Sequence, residues 1–324
     1  MKINILTIFP DMFRPLRESM LGRAEEKGII EFNIVDVRDF SADKHRNTDD
    51  YPFGGGQGMV FMPQPAFDAL KSVGAENTRN IYMSPRGKVL DMELALELAE
   101  YLKGSACAQD ECCKEKTIKK FTKEAVLTIF CGHYEGIDQR IIDAWNMEEV
   151  SIGDYILTGG ELAAMVLIDT VARLIPGVLG EENSAMDESI YSGLLEYPQY
   201  TQPRSFNVAM GGTAGTISAD GTADEKAFTQ TLDVPDVLLS GNHKEIGIWR
   251  FRESVRITKK SRYDILKAFL KNHGPLERAE IEVLMDELNK RELETLKKSF
   301  SENEAKAFAK ILEKRRKKVA IGKK

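Results

Sequence analysis

The chain has 324 residues, 42% of them apolar, and 45 basic against 51 acidic side chains give it a net charge of −6. That length and apolar content exclude a disordered chain and leave core for one large or two ordinary domains, while the acidic balance excludes a molecule that binds nucleic acid over its whole surface. No run approaches the roughly 20 apolar residues that span a bilayer, and Met1 leads into an apolar strand with no charged leader or cleavage site, so neither membrane insertion nor export is expected.

In chain order, KINILTIF at 2–9 reads as a buried strand, Met12 to Lys27 as a helix stopped by Gly28, and EFNIVDVRDF at 31–40 as a second strand. Residues 41–63 hold no sustained period and read as a long loop. Pro65 to Val73 is a short helix, Asn80 to Met83 a strand, and Asp91 to Leu102 a helix with Asp91 as its N-cap. Ala125 to Cys131 is a β-branched strand, Gly136 to Trp145 a helix or helical turn, and Val150 to Ile152 a strand start. A glycine turn at 158–160 then leads into a long apolar helix from Glu161 to Leu174. This alternation predicts an α/β domain over 1–180 with a mainly parallel sheet.

Two polar stretches, 104–123 and 211–228, look like surface insertions. The first holds Cys107, Cys112 and Cys113; with Cys131 these fit neither a disulfide framework nor paired zinc-ligand spacing, and reduced thiols in a cytoplasmic protein are expected. Four histidines do not support a metal site. An acidic segment at 181–200 suits a flexible linker. Beyond it, helix patterns dominate, with a helical region at 201–272 and a basic helical extension at 273–324. Tyr263, Leu266, Phe269 and Leu270 share a face, and further helices are expected over Leu276–Leu296 and Ala305–Lys318. Between Trp249 and Lys271 eight basic residues stand against two acidic ones, which points to RNA phosphate contact. From Leu284 to the end the count is thirteen against seven, which a solvated helical surface explains.

The order strand, glycine turn, helix at 149–180 presents bare backbone N–H and C=O groups, since glycine leaves room for close approach; alone it fits a tight connection equally well. The run HRNTDDYPFGGGQGM at 45–59 has no following Gly-Lys-Ser/Thr and is no ATPase phosphate loop. Together with SPRG at 84–87, CGHYEGIDQR at 131–140 and LLSGNH at 238–243, these segments resemble, in order and over roughly residues 1–265 apart from the two insertions, the bacterial tRNA (guanine-N1)-methyltransferase family, TrmD, of the SPOUT class.

The resemblance implies a parallel sheet tied in a deep trefoil knot, and methyl transfer from S-adenosylmethionine to N1 of the guanosine 3′ of the anticodon in tRNA. It also implies a homodimer with the active site between subunits, and assistance from magnesium, for which the sequence offers no dedicated site. It assigns the cofactor to Pro85, Gly132, Glu135, Gly136, Ser151, Ile152, Gly153, Asp154, Tyr155, Ile156, Leu157, Gly159 and Gly160. Arg173 matches the arginine that stabilises the target guanine; by spacing alone it would form an i,i+4 salt bridge with Asp169. Where the family carries an aspartate before Ser-Phe, this chain reads Met186-Asp187-Glu188-Ser189-Ile190. Counting without a gap from PGVLG places Glu188 at the general base, and a one-residue shift would place Asp187 there. Lys44, His45 and Arg46 are expected on RNA phosphates and Asp50 beside the target base.

The chemistry agrees with these residue types. Methylating N1 requires a base for its proton, a cation to meet charge on O6, and alignment of the donor methyl. A SPOUT enzyme acting on another RNA or on a ribose hydroxyl would keep the glycine loops without needing the linker carboxylate. A dinucleotide-dependent oxidoreductase would carry GxGxxG after its first strand, which KINILTIFPDMF lacks. A non-catalytic RNA-binding module would not need the glycine turns.

Overall fold

A computed structural model describes residues 1–104, 125–179, 193–210 and 228–321. Residues 105–124 of the cysteine-bearing insertion, 211–227 of the second insertion and 181–192 of the expected linker, Asp187 and Glu188 among them, lie outside the described residues. Contacts divide the chain into two compact units, Met1–Met186 and Asp187–Lys324.

In the first unit the elements run β1 (Lys2–Thr7), α1 (Ser19–Glu26), β2 (Glu31–Asp36), β3 (Asp49–Asp50), β4 (Val60–Phe61), α2 (Pro63–Ser72), β5 (Arg79–Val89) and α3 (Met92–Leu102). They continue with β6 (Val126–Cys131), α4 (Gln139–Ala144), β7 (Glu148–Ser151) and α5 (Glu161–Ala172). Among the described residues, five strands form one sheet in the order β2-β1-β6-β5-β7, every pair parallel, as the alternating pattern predicts. Such a sheet is covered on both faces, which is why its strands read as nearly unbroken apolar runs. Ile3, Ile5, Leu127 and Ile129 point to a core that α3 and α5 close with Leu98, Leu167 and Ile168, whereas Leu6 and Phe130 join Phe61, Leu70 and Ile141 on the other face.

A polar row crosses this apolar sheet at one register. Asn33 pairs with Asn4, Asn4 with Thr128 and Thr128 with Asn80 in the ladder. Their side chains are joined in the same order: Asn33 Nδ2 donates to Asn4 Oδ1 at 2.9 Å, Asn4 Nδ2 to Thr128 Oγ1 at 3.1 Å, and the Thr78 hydroxyl lies 2.8 Å from both Thr128 and Asn80. Asn80 Nδ2 then donates to the Ala75 and Trp145 carbonyls. A one-residue slip of β1 against β2 or β6 would leave buried Asn4 without its partners Asn33 and Thr128, so the row favours one alignment of these strands.

Several expected elements are subdivided. The helix predicted over 12–27 is a 3₁₀ segment, Pro10–Arg17, followed by α1; Pro15 lies within the first piece and Ser19 has φ 55°, so the α-helix starts anew. The strand predicted over 31–40 ends at Asp36, whose carboxylate accepts from the Arg38 N–H and turns the chain into a 3₁₀ helix. The strand at 80–83 bulges at Ser84–Gly87 and resumes to Val89, so that Met83 and Lys88 both face Val150. Asp91 caps α3 as expected, accepting from the Leu94 N–H at 2.9 Å.

The second unit contains β8 (Ser205–Met210) and β9 (Phe228–Asp233), an antiparallel pair that the helical pattern did not predict. There follow α6 (Asp236–Leu239), α7 (His243–Ser261), α8 (Tyr263–Lys271), α9 (Arg278–Glu287), α10 (Lys290–Lys297) and α11 (Glu302–Ile321). The single helix expected over 276–296 is α9 and α10, divided where Asn289 caps the Arg291 and Glu292 N–H groups and Glu292 accepts from Asn289 N–H. Val255, Leu266, Phe269 and Leu270 share a core with Leu284, Leu288 and Leu296, and Ile281 with Phe308 and Ile311 continues it. Among the described residues no helix is long and apolar enough to cross a membrane.

Cations on one side of α7 are engaged within this unit. Arg256 pairs with Glu287 at 2.9 Å, Lys259 with Glu292 at 2.9 Å, and Arg252 lies 3.6 Å from Asp286 and 3.7 Å from Glu287. These positions, spaced i, i+4 and i+7, share the face turned to α9 and α10, so three of the eight basic residues expected on RNA hold the helices together instead. Glu292 is buried and receives Lys259 Nζ, the Asn289 N–H and the Tyr263 hydroxyl. Burial alone would raise its carboxyl, but the donors outweigh burial and hold it below the usual glutamate value of 4.5. A depressed carboxyl stabilises the fold above its unfolded pKa and loses that contribution as pH falls through the folded one. Glu292→Gln should cost about 2 kcal/mol in urea unfolding near neutral pH, with the gap to the unsubstituted protein closing below about pH 4; a gap independent of pH would refute this account.

Candidate active site

At the carboxyl ends of β5, β6 and β7 lies a crevice of about 510 Å³. Three loops wall it: the Ser84–Gly87 bulge of β5, residues 132–137 after β6, and residues 151–160 between β7 and α5. Open α/β sheets bind ligands at this edge, where the strands end and backbone groups are free to point outward.

Close backbone contact sets the shape. Gly160 donates its N–H to the Gly132 carbonyl at 2.6 Å, and a Cβ on Gly160 would stand 2.8 Å from Gly132 N and 3.0 Å from Cys131 Cα. On the other side, a Cβ on Gly132 would meet the Tyr82 hydroxyl at 2.7 Å. Tyr82 is buried beneath the loop; burial first, and then the Glu149 carboxylate, push its phenol up to about 12, so it is neutral at physiological pH. Arg86 of the bulge is held by Glu149 at 3.1 Å. Below the floor, the Thr7 hydroxyl donates to the buried Glu161 carboxylate at 2.8 Å, and burial together with Glu161 raises the Cys131 thiol well above its ordinary range.

The loop over residues 41–62 is fastened to this crevice. Glu135 N–H donates to the Met59 carbonyl at 2.9 Å, Phe61 N–H to Gly136 at 2.9 Å, and Asp138 N–H to Phe61 at 3.2 Å. Gly58, at φ 83°, lies against the Glu135 side chain where no Cβ fits.

Of the thirteen residues expected to hold the cofactor, all but Asp154 line this crevice. Lys44, His45, Arg46 and Asp50 are exposed on the fastened loop and do not line it. Arg46 is paired with Asp36 at 3.2 Å and with Asp39, so its guanidinium is already engaged. Asp50 accepts from the Tyr51 N–H at 2.7 Å. Arg173 is half-buried at the C-cap of α5, away from the crevice. Glu188 and Asp187 lie outside the described residues.

Sequence reasoning missed Tyr82, Ser84, Arg86, His133, Tyr134 and Gln139 as lining residues, although all but Tyr82 stand inside the quoted SPRG and CGHYEGIDQR segments. It also passed over Tyr51 and Phe53, which are 79% and 101% exposed on the glycine loop. Among the described residues no group of three or more His, Cys, Asp or Glu side chains is placed to hold a metal ion.

A glycine-walled crevice at the carboxyl edge of a parallel sheet, closed by backbone contact and lined by few charges, defines an α/β protein whose concave site lies where such sheets bind ligands. Comparison with known proteins narrows that class. The family model described as tRNA (Guanine-1)-methyltransferase TrmD matches residues 1–104, 105–212 and 223–268. The chain is 46% identical over 273 residues to a protein of Alkaliphilus metalliredigens, covering 82% of this chain and 92% of that one. It is 44% identical over 272 residues to one of Clostridioides difficile, covering 82% and 98%, and 46% identical over 269 residues to one of Ruminiclostridium cellulolyticum, covering 82% and 96%. All three are described as tRNA (guanine-N(1)-)-methyltransferases. This chain belongs to the TrmD family of tRNA (guanine-N1)-methyltransferases.

The contact between Gly160 and Gly132 yields a direct test. Gly160→Ala forces a methyl group into main chain that has no side-chain freedom with which to yield, and should destabilise the protein by about 1–3 kcal/mol in urea unfolding. An unchanged midpoint would mean the loops are not in this contact.

Proposed function

We propose that this protein binds S-adenosylmethionine in the crevice and transfers its methyl group to N1 of the guanosine 3′ of the anticodon in tRNA. The observation that carries the reading is the convergence of the family's cofactor positions from three separate segments on one crevice. The cradle suits such a ligand: it offers backbone donors and acceptors for an adenine edge, small residues beside them, and a protonated Tyr82 beneath. When bound, the donor supplies an activated methyl group on a sulfonium. The protein's own part is to fix the guanine, take the N1 proton and meet the charge that develops on O6. We assign the proton to Glu188, with Asp187 as the other candidate, and O6 to Arg173. Lys44, His45 and Asp50 are proposed to meet RNA from the fastened loop. Magnesium finds no cluster of side chains to hold it among the described residues, and no step here runs through it.

The position of Arg173 favours a homodimer. It lies thirteen residues along α5 from Gly160, about 20 Å at 1.5 Å per residue, so it serves the crevice of a second copy more readily than its own. Leu162 and Val166, 48% and 46% exposed, lie on the same stripe of α5 as Asp169 and Arg173 and give that face an apolar surface for a partner. The deep trefoil knot of the SPOUT class is proposed for the loops joined by Gly160 and Gly132, and the cytoplasm as the place of action, where tRNA is found.

Total tRNA incubated with the protein and labelled S-adenosylmethionine should yield 1-methylguanosine on nucleoside analysis; a methylated ribose, another base, or no product would overturn the reading. Glu188→Gln should lower turnover by about 10²-fold or more with unchanged S-adenosylmethionine affinity by calorimetry, and full activity would remove Glu188 as the base. Leu162→Asp combined with Val166→Asp should give monomers in sedimentation, and a persistent dimer would place the interface elsewhere.

A further inference from the structure

The second unit holds a cavity of its own, about 370 Å³, between the extended segment 197–204, the end of β9, α6 and the first turns of α7. Its chemistry is one-sided. Arg204 and Arg250 line it, as do the amides of Gln199 and Gln202, and among the described residues no carboxylate does. The opposite wall is apolar, with Leu239 43% exposed, and Tyr200 offers a ring that is 46% exposed and backed by Trp249 at 6.2 Å. The Arg250 guanidinium is held over the Tyr197 ring at 4.8 Å, an arrangement that orients the cation without neutralising it. Arg252, Arg256 and Lys259 of the same helix are tied to carboxylates of α9 and α10, so Arg250 stands on the side of α7 left open to a ligand.

We propose that this cavity binds one unstacked nucleoside of the RNA substrate together with its phosphate. The base would lie on Tyr200 against Leu239, with its edge toward Gln199 or Gln202 and the phosphate between Arg204 and Arg250. An aromatic face takes any base, amide side chains read base edges, and paired arginines accept a phosphate. An acidic peptide would use the arginines but not the stacking ring, and that difference is measurable. The proposal rests on the reading of this protein as an enzyme acting on RNA, and uses none of the residues assigned to the methyl donor.

The test uses the full chain and tRNA. Arg204→Ala with Arg250→Ala should weaken tRNA binding at least about tenfold near 0.1 M salt and reduce the slope of log affinity against log salt by about 1. Tyr200→Ala should weaken it about tenfold and Tyr200→Phe hardly at all, with S-adenosylmethionine affinity unchanged in each variant. Wild-type affinity and salt slope in a double variant that retains its circular dichroism and donor binding would overturn the site, as would loss through the arginines with no effect of Tyr200→Ala. Should the variants fail to fold, photo-crosslinking of 4-thiouridine-bearing tRNA to the unsubstituted protein decides: crosslinks within 197–204 or 234–250 support the site, and crosslinks confined to other segments refute it. Failure to form 1-methylguanosine would sink the enzymatic reading itself, whereas formation of that product with an unchanged tRNA affinity in the variants would sink only this site.

Discussion

The hydrogen bond from Gly160 to Gly132 joins the first turn of α5 to the loop after β6; it forms because Gly160 has no Cβ to meet the Gly132 backbone, and Gly132 none to meet Tyr82. The Gly160 carbonyl in turn accepts from the Ala164 N–H at 2.8 Å, so the same residue closes the loop contact and opens α5. Position in that wall is therefore set by main chain, which moves less readily than side chains. Tyr82 supports the arrangement from below by filling the space under Gly132, and Glu161, anchored by Thr7, fixes the start of α5. The glycine loop over 51–58 is then carried at a set distance, since Met59 and Phe61 share hydrogen bonds with Glu135, Gly136 and Asp138.

This edge stays open because the sheet beneath it is fixed in register by polar groups. Asn33, Asn4, Thr128 and Asn80 are in one row across four strands, and the bonds from Asn33 to Asn4, from Asn4 to Thr128 and from Thr78 to Thr128 form only in that alignment. Apolar packing alone discriminates poorly between alignments of strands that are apolar on both faces, whereas a buried amide left without a partner costs about 1–3 kcal/mol. The carboxyl ends of β5, β6 and β7 therefore finish where the three crevice loops meet.

The second unit divides its charges by helix face. A count of basic residues between Trp249 and Lys271 treats them as equivalent, but α7 turns Arg252, Arg256 and Lys259 toward acids of α9 and α10 and leaves Arg250 beside Tyr197. The extension beyond residue 273 is part of what neutralises the helix, because Asp286, Glu287 and Glu292 come from it. Local net charge is thus a poor measure of what a partner would meet; which acids share the face is decided by packing.

The sequence by itself determined the parallel α/β pattern, the motif segments that supply the crevice, the N-cap at Asp91 and the family. These follow from local spacing, from glycines where backbone approaches backbone, and from segment order. Only the tertiary structure decided that β5 bulges at Ser84–Gly87 and resumes, that Tyr82 lies under Gly132, and that Arg46 is held by Asp36 and Asp39. Each depends on side chains or strands from separate elements meeting at atomic range, which no periodicity in a single segment encodes. The same holds for the polar row: Asn4 reads as an interruption of an apolar strand until Thr128 and Asn33 are placed beside it.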